Sequence, residues 1–415
     1  MKIAIIGSGI SGLTSAYLLN RNHDISIFEA NDYIGGHTHT HKIGVDGKNY
    51  SVDTGFIVYN ERTYPNFIKL LDQLGVERQL STMGFSVKSS SMDYEYAGES
   101  FNSFFAKRSN IFRFGFLRML YEMYHFGKKA DSLGGGLSVS LTLGEYLFQK
   151  KYSNEFINYF IVPMGAAIWS TPANKVLDMP AHFFIKFFYN HGMLEIMNRP
   201  NWWVIKNGSS SYINKIIKGF ERKINLSTPV KSVSRNNDGV QISFSEKDVT
   251  ENFDAVVFAT HSDQALKILS DPSESEIGIL SSIPYQKNEI LLHTDSSILP
   301  RRKLAWASWN YQLDSNPELP VVLTYNMNIL QNIKCKKTFC VTLNDNGSVD
   351  KNKILKKIKY HHPLFNVDGI KVQKRKSEIS GVNNTYYCGA YWRNGFHEDG
   401  VASALDVGKH FGEKL

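Results

Sequence analysis

The sequence predicts a mixed α/β (α+β) fold in which a partly helical domain is inserted into a Rossmann-like one, and three observations support this. The chain opens as an apolar strand, Lys2-Ile3-Ala4-Ile5-Ile6, that runs into Gly7-Ser8-Gly9-Ile10-Ser11-Gly12. A second apolar run, Ile25 to Phe28, ends on Glu29, twenty-two residues after Gly7. Towards the other end, Tyr386-Tyr387-Cys388-Gly389-Ala390 reads as a buried strand ending in glycine, and His397-Glu398-Asp399-Gly400-Val401-Ala402-Ser403-Ala404 as a helix start. At 415 residues the chain also exceeds a single typical core, so two domains are expected.

The opening strand, glycine turn and helix make a dinucleotide site. Gly7 allows the turn, Gly9 lets the backbone approach a pyrophosphate, and Gly12 lets helix and strand pack closely. The N–H groups of Ser8, Ile10 and Ser11 lie at the start of the helix, where phosphate is favoured. Glu29 stands where an acid holds a ribose hydroxyl. Just beyond it, Gly35 and Gly36 let the backbone pass close to the cofactor a second time. At the far end, Glu398 and Asp399 fall at the positive end of a helix dipole.

Glu29, five intervening residues and Gly35-Gly36 resemble the FAD-binding domain of the flavin amine oxidase superfamily. That superfamily usually has Arg after the two glycines, where this chain has His37. The resemblance implies FAD as cofactor and a Rossmann-like domain of the amine oxidase type. It also implies contacts from Gly7 to Gly12, Glu29, Ala30, Gly35, Gly36, His37 and Thr38, and from Thr54, Gly55 and Phe56. The Val230 backbone would meet the adenine half, and Thr260 would lie near the pyrophosphate. Gly389 and His397, Glu398, Asp399, Gly400, Val401 and Ala402 would return to the first domain and point a helix N-terminus at the flavin ring.

A closer likeness covers Gly35 to Thr40, Asp53 to Pro65, Met164 to Ser170, Ala305 to Tyr311 and Gly395 to Gly400. These segments resemble bacterial NAD/FAD-binding oxidoreductases associated with cyclopropane-fatty-acid synthase-like methyltransferases, which are similar to polyunsaturated fatty acid isomerases. The likeness implies a fatty acyl or phospholipid substrate and a functional partnership with an S-adenosylmethionine-dependent fatty acid methyltransferase.

Composition is that of a folded protein, with 42% apolar and 21% charged residues. The aromatic share, 13%, suits a flat cofactor and an apolar substrate, or simply an aromatic-rich core. Three cysteines, Cys335, Cys340 and Cys388, make neither a disulfide framework nor a four-ligand zinc site, and no metal site is expected. The apolar run Ile3 to Ile6 is too short for a signal peptide, and no run reaches the length that spans a bilayer. Cytoplasmic residence is therefore expected, with peripheral contact at the inner face of the membrane. The net charge of +8 comes with no nucleic-acid motif. It suits an anionic lipid surface, or is only a basic surface.

Along the chain, residues 1–80, 203–262 and 380–415 are assigned to the FAD-binding domain, and 81–202 and 263–379 to the substrate domain. Val230 starts a three-strand meander with Asn236-Asn237-Asp238-Gly239 as its hairpin turn. Asp254 to Thr260 is a buried strand. In the first insertion Phe112, Phe116, Met119, Leu120, Met123 and Phe126 fall on one helical face. Lys107, Arg108, Arg113, Arg118, Lys128 and Lys129 flank them, against the single acid Glu122. Such a helix reads as membrane-surface or partner-binding, or as one packed on its own domain. A second apolar cluster, His182 to Tyr189, reads as tunnel lining, lipid contact or core.

FAD supplies the chemistry, so the protein needs only to orient and keep dry a C–H bond over the ring. The expected reaction removes an allylic hydride and a neighbouring proton from an unsaturated, methyl-branched fatty acyl chain, giving a conjugated diene. Return of the hydride to another carbon would make an isomerase. Amine oxidation and a non-catalytic flavin- and lipid-binding partner are the other readings. Ile290 aligns where many amine oxidases carry a lysine, although Lys287 is close. Candidate proton acceptors are His37, Tyr59 and His293. Trp169, Trp306, Trp309, Tyr325 and Tyr391 are candidate walls of the substrate channel.

Overall fold

The computed structural model describes residues 1–89, 93–133, 137–194, 199–236, 239–245, 249–313 and 321–415. The Lys129 side chain and the Asn237-Asp238 turn lie outside the described residues. Five parallel strands form the first sheet, in the order Ile224–Asn225, Asp24–Phe28, Lys2–Ile6, Ala255–Phe258 and Thr385–Tyr387. The opening strand is apolar at every inner position because both of its faces are covered. Ile3 and Ile5 enter one core with Ile10 and Leu13 of the helix Ile10–Leu19 and with Val401 and Val407 of the helix His397–His410. Ala4 and Ile6 enter another, with Val233 and Ile242 of the meander. Each buried aliphatic side chain contributes about 1.5–3 kcal/mol.

The meander is antiparallel, with strands Val230–Asn236, Gly239–Phe244 and Thr250–Phe253. Leu269, Ile279, Leu280 and Ile283 complete its core. The apolar core of the nucleotide domain thus continues past residue 262, because the helices Ser262–Ile268 and Glu274–Leu280 cover the meander rather than the second sheet.

A seven-stranded sheet runs Ile354–Pro363, Tyr285–His293, Cys340–Leu343, Val322–Asn326, Trp309–Gln312, Phe85–Ser89 and Tyr94–Ala97. One pair is parallel, Trp309–Gln312 with Phe85–Ser89, and it joins the two insertions. Helices Phe114–Leu133, Leu143–Gln149, Val162–Trp169 and Ala181–Asn190 share a core with Val87, Tyr311 and Leu323 of that sheet. Leu143–Gln149 starts where it does because Thr142 and Glu145 cap each other's backbone N–H.

The first insertion's helical face is met by Phe116, Met119 and Phe126, all buried, with Leu120 and Met123 packed against them. Phe112 departs from the expectation. It ends a short 3₁₀ turn, Arg108–Phe112, and extended backbone at Arg113 turns the chain before the helix begins, leaving Phe112 89% exposed. In the helix Ala181–Asn190, Phe184, Ile185 and Phe188 are core residues. Asp53 ties the two parts of the molecule together. Its buried carboxylate accepts from Thr40 Oγ1, the Ser209 N–H and hydroxyl, and Gln331 Nε2 at 2.5–3.0 Å. Among the described residues no helix is long and apolar enough to cross a membrane.

Candidate functional site

The glycine turn is built as its spacing requires. Gly7 has φ +103°, and a Cβ there would lie 2.8 Å from the Ala259 carbonyl, with the Thr260 N–H next to it at 3.4 Å. A Cβ on Gly12 would strike the Gly7 carbonyl, so only glycine lets the helix start sit this close to the strand. Around Gly9 the situation is reversed, with nothing within 4 Å of the position a Cβ would take. The helix Ile10–Leu19 has no side-chain cap, so its first N–H groups face that open space. Gly36, at φ +59°, closes over the turn, 3.3 Å from the Gly9 Cα by the same measure.

Glu29 is buried, and its oxygens accept from the Ser8 N–H at 2.9 Å and hydroxyl at 2.7 Å, and from the Asn31 N–H at 2.9 Å and side chain at 2.8 Å. Ser8 Oγ in turn accepts from the Gly35 N–H. The acid thus knits the two glycine loops together beside the site. Ala30 is exposed. The Thr228 N–H donates to the Glu29 carbonyl at 2.8 Å, which brings the start of the Val230 strand to the same edge.

The two ends of the chain meet here. A Cβ on Gly400 would lie 2.7 Å from Ile10 Cγ2 and 2.9 Å from Ser11 Oγ. Ser15 Oγ and Cys388 Sγ are 3.6 Å apart, and the Gly389 N–H donates to Ser403 Oγ. His397 Nε2 lies 3.0 Å from Thr38 Oγ1 and 3.2 Å from the Tyr212 hydroxyl, and Phe56 stacks on its ring at 3.5 Å. Glu398 accepts from the Phe67 N–H and from Asn66, anchoring the helix Pro65–Gln73. Asp399 accepts from the Phe396 N–H and caps its own helix, while burial pushes its carboxyl up to about 7. Val401 and Ala402 are buried in that helix. The Phe56 N–H donates to the His37 carbonyl, and Thr54 Oγ1 meets the Tyr360 hydroxyl and His41. Gly55 passes so close to the His37 carbonyl that it has no room for a Cβ.

His37 is half-buried, and its Nε2 is buried with no hydrogen-bond partner. Tyr360, His362 and His261 surround it at ring separations of 4.7, 5.2 and 6.2 Å. Burial first, then His261 and His361, lowers its imidazole to about 3. Burial likewise lowers His362 to about 3 and His261 to about 4. These are neutral rings at neutral pH. His37 therefore offers a neutral hydrogen-bonding group where Arg would bring a charge.

Among the proposed proton acceptors, Tyr59 packs behind this site against Phe56, Tyr64 and Phe67 in the nucleotide-domain core. His293 is not brought to the other two. Thr342 Oγ1 and the Asp295 N–H engage its two ring nitrogens within the seven-stranded sheet. Tyr212, Tyr360 and His362 complete the site without having been singled out. Only Tyr212 lay in a stretch, 203–262, that the sequence assigned to the cofactor domain.

These groups fit FAD. There is open space at Gly9 beneath bare N–H groups, an acid at the strand end, an orphaned His37 nitrogen and a second helix N-terminus from the far end of the chain. A cavity of about 1320 Å³ reaches the start of that second helix at Phe396, Glu398 and Asp399. Phe183, Phe187, Leu194 and Ile370 line it, with Arg62, Lys128, Lys186, Lys374 and Arg393 also in its wall.

None of the five channel candidates is in this lining. Trp169 sits one layer behind, 4.7 Å from Phe187, and its indole N–H donates to the Asn394 carbonyl. Trp309 and Tyr325 pack edge to face on each other. The Trp306 N–H donates to the Pro300 carbonyl, and Tyr391 is buried beside Trp392 in the meander core. Other rings, among them Phe183, Phe187 and Trp392, line the cavity instead. Ile290 is buried and Lys287 exposed on the strand Tyr285–His293.

The sequence model of the family described as flavin containing amine oxidoreductase matches residues 10–289. A tryptophan 2-monooxygenase of Allorhizobium ampelinum is 60% identical over 42 residues, 10% of this chain and 6% of that one. A 1-hydroxycarotenoid 3,4-desaturase of a Flavobacterium species is 28% identical over 225 residues, 51% of this chain and 40% of that one. The chain thus spans less than half the length of these curated relatives. The crystal structure of a CLA-producing fatty acid isomerase from P. acnes superposes with a TM-score of 0.71 at 16% identity, over 99% of this chain and 98% of that one, so the two share a fold.

Proposed function

The chain belongs to the flavin containing amine oxidoreductase family, with FAD as its cofactor, and we propose that it acts as an oxidoreductase on an unsaturated, methyl-branched fatty acyl chain. The reading rests on the chemistry of the cavity at the start of the helix His397–His410. Its wall carries five cationic side chains and two acids, Glu398 and Asp399, both of which are engaged by backbone N–H groups. That balance suits a substrate with an anionic head and an apolar tail. An ammonium group would meet mainly cations.

FAD, when bound, would supply a two-electron acceptor for a hydride from the substrate. The chain's own residues do the rest. Phe183, Phe187 and Phe396 exclude water along the tail, at about 0.8 kcal/mol for each CH₂ buried. Lys186 and Lys374 face the carboxylate or phosphate end. The N-terminus of the helix His397–His410 favours negative charge accumulating beside it. His37, a neutral ring whose Nε2 has no partner within the protein, is the proposed hydrogen-bonding group toward the cofactor. The substrate loses a hydride and a neighbouring proton and becomes a conjugated diene. An S-adenosylmethionine-dependent fatty acid methyltransferase would supply the methyl branch.

The end-to-end fold shared with a fatty acid isomerase supports a second reading, in which the hydride returns to another carbon. Mass spectrometry of the product from holoprotein, acyl chain and an artificial electron acceptor separates the two. Desaturation gives a product lacking a pair of hydrogens, formed only with acceptor present. A product of unchanged mass formed without acceptor would make the chain an isomerase. Turnover of amines with none of acyl chains would overturn both.

A further inference from the structure

The helix Phe114–Leu133 has a second apolar stripe that the core does not use. Phe116, Met119 and Phe126 face inward, while Phe114, Leu117, Tyr121 and Tyr124 recur at three- and four-residue spacing on the outer flank. Phe114 is 80% exposed and Tyr121 62%. Phe112, 89% exposed on the turn before the helix, and Phe101, 79% exposed, extend the patch at its N-terminal end. So many exposed apolar side chains on one segment mark an interaction surface.

Cations outnumber acids around the patch. Arg108, Arg113, Arg118 and Lys128 border it. Of the acids nearby, Glu122 is buried and bonded to Arg118 and Ser153, Glu155 sits beside Gly115, and Asp93 is paired with Lys107. Cations bordering protruding aromatic rings are complementary to an anionic lipid surface, where rings enter the headgroup region and arginines meet phosphate. The stripe is also continuous with the cavity, since Tyr124, Gly127 and Lys128 of the same helix line its wall.

We propose that the outer flank of the helix Phe114–Leu133, with the turn before it, docks on an anionic bilayer and sets the cavity beside the lipid that enters it. Exposed rings bordered by arginine and lysine favour an anionic membrane over a protein partner. Docking is measured without turnover, so its failure would leave the acyl-chain reading standing.

The test is flotation of full-length holoprotein with vesicles of phosphatidylcholine alone or with phosphatidylglycerol added. Phe112→Ser/Phe114→Ser is compared with wild type and with Ile277→Ser, an exposed apolar residue on the helix Glu274–Leu280. Wild type and Ile277→Ser are expected to float with the anionic vesicles at least tenfold better than with the neutral ones, and less so at ~0.5 M salt. The double variant is expected to lose at least tenfold in vesicle affinity while keeping flavin content and melting temperature. Equal flotation of the double variant and wild type would overturn the proposal, as would no flotation of wild type. Self-association of wild type that the double variant abolishes, without vesicle binding, would assign the patch to a second copy instead.

Discussion

At the residue scale, Gly9 and Gly12 are both glycines for opposite reasons, and the difference can be measured. A side chain at residue 9 meets no protein atom but fills the space the pyrophosphate needs. Gly9→Val is therefore expected to melt like the wild-type apoprotein and to lose most of its bound flavin, seen as visible absorbance per protein. Gly12→Val strikes the Gly7 carbonyl and is expected to lower the stability of the apoprotein itself, by about 1–3 kcal/mol in a urea titration.

The histidines carry a pH prediction. Folded His37 stays neutral down to about 3, whereas the unfolded imidazole takes up a proton below about 6.5. Its contribution is complete above pH ~6.5 and declines as pH falls towards 3, by about 2 kcal/mol at pH ~5. His37→Gln should flatten the fall in urea midpoint between pH 7 and 5, and an unchanged slope would mean that His37 is not a buried neutral ring. The glycines and Glu29 were legible in sequence because local backbone geometry imposes their spacing. Tyr212, Tyr360 and His362 were not, since they reach His37, Thr38 and His397 only through contacts across the folded chain.

At the element scale, the site depends on two helix starts being pressed together. Gly400→Val would push the helix His397–His410 off Ile10 and Ser11. The expected result is a loss of about 1–3 kcal/mol in stability together with weaker flavin retention, read by melting and by flavin release on dilution. Both helices were legible, one from its glycine turn and the other from Gly389 and the acids after His397. The inner face of the helix Phe114–Leu133 was legible from its period, apart from Phe112, which a turn too short to show any period carries outside the helix. The five aromatic channel candidates lie outside the lining of the described cavity. Residue type reports that a ring will be buried, but not whether it faces a cavity or a neighbouring ring.

For the whole molecule, Asp53 joins the cofactor domain to the second insertion through Gln331. Asp53→Ala would leave Thr40, Ser209 and Gln331 with buried polar groups unpaired. A loss of about 3 kcal/mol or more is expected, measured by urea unfolding. The mixed α/β class was legible from the glycine turn at one end of the chain and the strand before Gly389 at the other. The cavity itself was not, because its wall is assembled from segments around 62–66, 124–128, 182–194, 370–374 and 392–399.

The proposal that the flavin site faces an acyl-chain cavity is open to a single spectroscopic experiment. Anaerobic mixing of holoprotein with an unsaturated fatty acyl chain, and separately with amines, tests it most directly. The acyl chain should bleach the visible flavin absorbance and amines should leave it unchanged. Bleaching by an amine alone would contradict the claim.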